Sequence, residues 1–317
     1  MTPDLKGLHY LTSPNMAQLD VSGKAPMIEN DGDMLSYNPW SYRCCQHNVS
    51  IGWPYFAEHL WMATHDNGLA AVFYAANSVK AKVADGSEVQ ISETTQYPFG
   101  DVVEFKLSVK RRVRFPFLVR VPSWCKGARI QLNGKEIGVA LNPAAWVRLE
   151  RIWRNGDVVH LELPQAIALS VWEKDNNSVS VSRGPLVYSL KIGERWEQYG
   201  GTDRWPAYQV FPSTPWNYGL VADLENPEAS FELVRKSDPL PTQPFTLDNA
   251  PLELKAKGKR IPQWKLESNG LIGALQDSPV YSTEASENIT LIPMGCARLR
   301  VSAFPRTSES PGANRWK

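Results

Sequence analysis

No stretch of the 317-residue sequence approaches the run of about 20 apolar residues that a bilayer-crossing helix requires. The first residues, Met1-Thr2-Pro3-Asp4-Leu5-Lys6-Gly7, lack the basic-then-apolar pattern of a secretory signal. The expectation is a chain with no membrane partner and no visible export signal, its compartment left open. A charge excess is missing too. Charged residues make up 21% of the chain, the net charge is +1, and the two signs are interspersed. That balance gives no reason to expect a nucleic-acid partner. The densest basic patch, Lys110-Arg111-Arg112 with Arg114, reads as a solvated strand end. Cysteines number four, too few for the disulfide framework of a small secreted domain. No short-period repeat is present.

Aromatic residues, by contrast, are abundant: 12 Trp, 11 Tyr and 10 Phe. Their faces suit the apolar C–H faces of sugar rings, but large sandwich cores also use Trp for packing, so composition leaves both open. The length suggests about two domains. Residues 1–43 are punctuated by Pro3, Gly7, Pro14, Gly23, Pro26, Gly32 and Pro39, and read as a long irregular segment crossing the mouth of something else. Val49, Trp53, Phe56, Leu60 and Ala63 then recur at helical spacing, which predicts one helix over 46–65, with Pro54 tolerable only near a first turn.

From Leu69 onward the pattern becomes strand-like. Ser87–Thr95 and Val102–Val109 alternate with period two, and Asn133-Gly134 is a strong hairpin signal. Short strands at regular spacing predict a mainly β chain of β-sandwich domains. Pro164 marks a boundary. Residues 178–190 read as strand, turn, strand; 193–219 read as a long ordered loop; and 223–301 read as further strands. The division expected is 1–66, 67–165 and 166–317.

The motif that carries chemistry is Tyr42-Arg43-Cys44-Cys45-Gln46-His47-Asn48. Its cysteines lie where the irregular segment meets the predicted helix. Unpaired N–H groups and the dipole at a helix N-terminus favour thiolate, and Arg43 and His47 push the same way. A disulfide between adjacent cysteines is strained. Thiolates are zinc ligands and good nucleophiles. The bland alternative is a pair of small buried packing residues. The pair cannot fill a four-coordinate site alone, and His47 could be a ligand, a residue supporting the ligands, or a substrate contact.

This motif, followed by Gly52-Trp53-Pro54-Tyr55-Phe56-Ala57-Glu58-His59-Leu60-Trp61, resembles glycoside hydrolase family 127, the beta-L-arabinofuranosidases. The resemblance includes Leu8-His9-Tyr10, Arg120-Val121-Pro122-Ser123-Trp124-Cys125 and Arg183-Gly184-Pro185-Leu186-Val187-Tyr188. It continues through Trp216-Asn217-Tyr218-Gly219-Leu220 and Leu291-Ile292-Pro293-Met294-Gly295. It implies β-sandwiches preceded by a short irregular and helical remnant, residues 1–66, of a truncated (α/α)6 catalytic barrel. It implies Cys44 as nucleophile and zinc ligand, Cys45 as zinc ligand, and a retaining reaction with a thiolate in place of one carboxylate. His9 and His47 are the candidate substrate contacts, His9 alternatively a loop-structural residue. The family's other Glu and Cys ligands and its acid/base Glu precede the cysteine pair. Here only Glu29 lies in that stretch, and it aligns with neither role. The zinc site would therefore be incomplete, and the chain alone inactive. Its partners would be a carbohydrate substrate and either the missing barrel segment or a second copy. Better-understood members have prolines where this chain has Gln46-His47-Asn48.

Two readings compete with this one. In the first, the chain is a non-catalytic carbohydrate-binding or interaction module using the Trp196–Trp216 segment. In the second, Cys44 and Cys45 form a structural or redox pair. Cys125 and Cys296 read as packing residues, His59 as a helix-face residue, and His65 and His160 as surface or strand residues.

Overall fold

The structure is a computed structural model describing residues 2–4, 6–10, 13–25, 35–40, 44–236 and 239–308, with only the backbone of Cys44, Cys45 and Gln46. It is mainly β, with one described α-helix. Two compact units account for the chain: Ser50–Ala166, and Met1–Val49 together with Ile167–Lys317.

Strand β1 is Asn15–Met16 and helix α1 is Cys44–Glu58. The Ser50–Ala166 unit contains β2 (Trp61–Ala63), β3 (Leu69–Ala71), β4 (Asn77–Val83), β5 (Ser87–Thr95) and β6 (Val102–Val109). It continues with β7 (Val113–Arg120), β8 (Arg129–Leu132), β9 (Lys135–Glu136), β10 (Trp146–Trp153) and β11 (Val158–Glu162). These strands form a four-stranded sheet, β10-β7-β3-β2, and a six-stranded sheet, β4-β5-β6-β11-β8-β9. Period two decides what lies between the sheets. On β6, Val103, Phe105, Leu107 and Val109 are buried, while the residues between them are exposed. Phe105 meets Phe117 of the other sheet edge-on at 5.2 Å, and Trp61 stacks on Phe117 at 5.8 Å. The buried Trp153 donates its indole N–H to the Phe115 carbonyl at 2.9 Å.

Two local devices fix register here. Asn133 (φ 51) and Gly134 (φ 76) form the two-residue hairpin between β8 and β9, both with the positive φ that such a turn needs. Gly68 lies so close to the Pro116 carbonyl oxygen that any Cβ would overlap it, while its N–H takes a hydrogen bond to Thr64 Oγ1 at 2.8 Å.

In the second unit, β12 (Ile167–Trp172), β13 (Ser178–Arg183), β14 (Leu186–Leu190), β15 (Glu194–Gly201) and β16 (Pro206–Pro212) come first. β17 (Tyr218–Val221), β18 (Glu232–Arg235), β19 (Leu252–Arg260) and β20 (Val280–Tyr281) follow. β21 (Ser286–Pro293), β22 (Arg300–Val301) and β23 (Thr307–Ser308) close it. A sheet in the order β12-β13-β14-β21-β19-β17, with β18 also paired to β19, is its backbone. The core joins Val181, Tyr188, Leu254, Ile289 and Leu291 of that sheet to Met16, Leu19, Leu35 and Tyr37.

Two expectations change. Residues 193–219 are not a loop: β15 and β16 form an antiparallel hairpin. Its Trp, Tyr, Pro and Gly content masked a strand pair that carries a bulge between Gln198 and Gly200. The helix ends at Glu58, and Trp61–Ala63, predicted helical, is strand β2, held by β3. Pro54 sits well inside α1, not in its first turn. The early irregular segment belongs to the second unit's core: Asn15 pairs with Val301, Leu19 with Val210 and Tyr37 with Tyr208. Glu29 lies outside the described residues.

Candidate functional site

Cys44 and Cys45 are the first two residues of α1, so the backbone places the pair at a helix N-terminus, the position the sequence suggested. Their side chains lie outside the described residues, as does the whole of Arg43. His47 stands exposed in the first turn of the same helix. Among the described residues no group of three or more His, Cys, Asp or Glu is gathered to hold a metal.

From His47 to Glu58 every residue of α1 is exposed. Val49, Ile51, Trp53 and Tyr55 all show apolar surface, Trp53 being 66% exposed. Trp53 touches Phe56, which leans on Phe73 at 5.7 Å. Gly52 and Pro54, which cost a helix interior about 1 and 3 kcal/mol relative to alanine, lie in the same element. At the far end His59 Nδ1 lies 2.7 Å from the Tyr55 carbonyl oxygen, with Glu58 3.5 Å away.

His9 sits elsewhere in the second unit, half-buried on an aromatic stack. Its ring meets Tyr37 edge-on at 4.9 Å, Tyr37 stacks on Trp196 at 5.4 Å, and Trp196 meets Tyr208 edge-on at 5.5 Å. The Trp196 indole donates to Glu194 Oε2 at 3.1 Å, and the Arg298 amide donates to Glu194 Oε1 at 3.3 Å. Burial raises the Glu194 carboxyl above the usual range and does the same to the Tyr37 hydroxyl. Glu194 and its stack were not picked out from sequence; the Trp and Tyr density of the 193–219 segment was the signal that could have found them.

The remaining cysteines are inert. Cys125 and Cys296 are free and buried. Burial pushes their thiols up to about 11 and about 12, away from thiolate. Both serve packing, as expected. An open groove of about 660 Å3 runs over β4, β5 and β6, lined by Lys80, Lys82, Glu88, Gln90, Ser108, Lys110 and Asn155. Apart from Lys110 of the basic patch, it includes none of the residues singled out in the sequence, and none of the candidate site residues.

Residues 68–165 match the family model described as beta-L-arabinofuranosidase, GH127 middle domain. No curated protein matches the sequence. Solved structures do share the fold. A GH127 beta-L-arabinofuranosidase from Geobacillus stearothermophilus T6 is 18% identical with a TM-score of 0.60, over 91% of this chain and 42% of that one. A structure described as a glycoside hydrolase is 21% identical with a TM-score of 0.65, over 96% and 45%. A GH127 beta-arabinofuranosidase is 18% identical with a TM-score of 0.59, over 86% and 40%. The chain thus spans less than half the length of these structures, and at such identities the likeness is one of fold. Residues 68–165 are thus similar in sequence to the GH127 middle domain, and the chain as a whole shares the fold of part of known glycoside hydrolases of that family.

Proposed function

We propose that the chain is the C-terminal part of a retaining, zinc-thiolate glycoside hydrolase of the beta-L-arabinofuranosidase kind, acting on plant-type glycans. The observation that carries this reading is the adjacent pair Cys44 and Cys45 opening α1, immediately before a GH127 middle domain. In this proposal Cys44 is nucleophile and zinc ligand, Cys45 is a second ligand, and His9 and His47 contact the sugar. Zinc, when bound, would hold the thiolate and lower its pKa. Two more ligands and the acid that protonates the departing oxygen would come from an (α/α)6 barrel of which residues 1–66 are the closing part. The exposed apolar surface of α1, in a helix interrupted by Gly52 and Pro54, supports that reading: such an element needs tertiary packing to persist.

The test restores the upstream coding sequence and measures zinc content and turnover of an aryl beta-L-arabinofuranoside. The longer protein should bind one zinc and turn over, the present chain should not, and Cys44→Ser should abolish activity. Undiminished turnover with serine at both positions would reject the assignment.

A second reading, a non-catalytic carbohydrate-binding module, is favoured by the aromatic surface at the β15–β16 hairpin. Trp40 and Trp205 are 52% and 45% exposed there, and Trp40 lies against Gly200. Glycan retention by the full chain carrying serine at both cysteines, lost on Trp205→Ala, would support this module.

A further inference from the structure

The sheet built on β19 has a core face and an open face. Leu252, Leu254 and Ala256 are buried against the core, so period two turns Glu253, Lys255, Lys257 and Lys259 to the opposite side. On the neighbouring strands Lys255 stands opposite Thr290 and Glu232, Lys257 opposite Asn288, and Lys259 opposite Ser286. The lysines of β19 therefore repeat at about 6.8 Å along the strand. Lys191, just after β14, and Lys236, just after β18, join them. Lys191 Nζ lies 2.9 Å and Lys236 Nζ 3.3 Å from Glu253 Oε1, and Lys255 Nζ lies 2.7 Å from Oε2.

This arrangement leaves a charge imbalance. Glu253 is 5% exposed, and its single charge faces three ammonium groups. Glu232 adds one further carboxylate on this face, whereas Lys257 and Lys259 add two cations. Glu287 turns to the other face, where it accepts from the Tyr218 hydroxyl at 2.7 Å. Thr290, Asn288 and Ser286 of β21 stand beside the lysines on one side, and Val221 and Gly219 of β17 flank Lys257 and Lys259 on the other. One end is closed by the small apolar cluster of Ala250, Ile292, Cys296 and Ala297. No aromatic side chain stands among these positions, so the strip has no platform for stacking nucleic-acid bases.

We propose that the open face of β19 with its neighbours β14, β18 and β21 docks an acidic polysaccharide, a glycan chain carrying carboxylates at successive sugars. Glu253 presets the surrounding lysines, and the excess ammonium groups neutralise the chain's carboxylates with release of its counterions. The choice of a glycan rests on the glycoside hydrolase reading above; the cationic strip itself does not.

The test is retardation of the full chain in native gels containing polygalacturonate, with fully methyl-esterified polygalacturonate as the uncharged control. Lys191, Lys236 and Lys255 hold Glu253 and are left intact; Lys257→Gln/Lys259→Gln removes two charges without touching that network. Wild type should be retarded by the acid form only. Its affinity should fall roughly tenfold in the double variant, at unchanged Tm, and by a similar factor between about 50 and 200 mM NaCl. Absence of retardation, full retention of affinity by Lys257→Gln/Lys259→Gln, or equally tight binding of duplex DNA at matched charge would overturn the proposal. Any of these results would leave the turnover assay at Cys44 unaffected, so the two readings fail separately.

Discussion

Two buried carboxylates, one in each unit, respond to pH in opposite senses. Glu93, on β5, is 3% exposed and accepts from the Ala75 amide at 3.1 Å and the Asn77 side-chain amide at 2.8 Å. Burial outweighs these donors and raises its carboxyl to about 7. The folded state therefore holds a proton that the unfolded chain releases near the ordinary value of 4.5. Stability is fully present below that value and is lost as pH rises through about 7, by about 3 kcal/mol in all. Denaturant melts of the full chain from pH 4.5 to 8 should show this fall for the Ser50–Ala166 unit, and Glu93→Gln should flatten it. In the other unit, burial opposes the ionisation of Glu253, but hydrogen bonds from Lys255 and Lys191 outweigh it and hold the carboxyl at about 2. Its contribution is present above the ordinary carboxylate range and lost as pH falls through about 2. Lys24, 1% exposed, is bound to Asp20, to Ser22 Oγ at 2.6 Å and to the Asn269 carbonyl at 2.6 Å. Lys24→Met should cost about 3 kcal/mol or more because it strands Asp20, and Asp20→Asn in the same chain should recover part of that loss in the same melts.

At the scale of elements, what could be read in advance depended on whether one face of the element is buried within this chain. Ser87–Thr95 and Val102–Val109 have polar and apolar faces, so their alternation gave the strand limits to the residue. Asn133-Gly134 declared its hairpin because no other dipeptide accepts two positive φ values so readily. Trp61–Ala63 failed this way of reading because three residues cannot display a period, and the helical stripe before them ran on in register. The β15–β16 hairpin failed because its aromatic and glycine content hides the alternation, and its partners are Leu19 and Tyr37, far away in sequence. The helix start at Cys44 was legible in the residues around it, whereas Glu194, whose environment is made by Trp196 and Arg298, was signalled only by the Trp and Tyr density of its segment. Gly68 gives a test at this scale. Gly68→Ala would force β3 away from Pro116 of β7, and should cost at least about 2 kcal/mol by denaturant titration without altering the second unit.

For the whole molecule, the exposed apolar side chains of α1 set the behaviour in solution. Val49 and Trp53 on one side of the helix, and Ile51 and Tyr55 on the other, present apolar surface that a monomer gains by covering. The chain should elute as concentration-dependent oligomers, and Ile51→Lys/Trp53→Lys should shift it toward monomer in sedimentation velocity at unchanged Tm. An unaltered distribution would show that some other surface drives association.

The pairing of Asn15 with Val301 has a consequence for synthesis. Every residue of the Ser50–Ala166 sandwich has left the ribosome long before Ile289, Leu291 and Phe304 exist, so that sandwich can close while translation continues. The strands that must enclose Met16, Leu19 and Tyr37 arrive last. Those early side chains have to wait, uncovered, for nearly the whole time the polypeptide is being made, and loop closure across that span is slow. Nascent protein stalled before β21 should thus be the form most readily captured by chaperones.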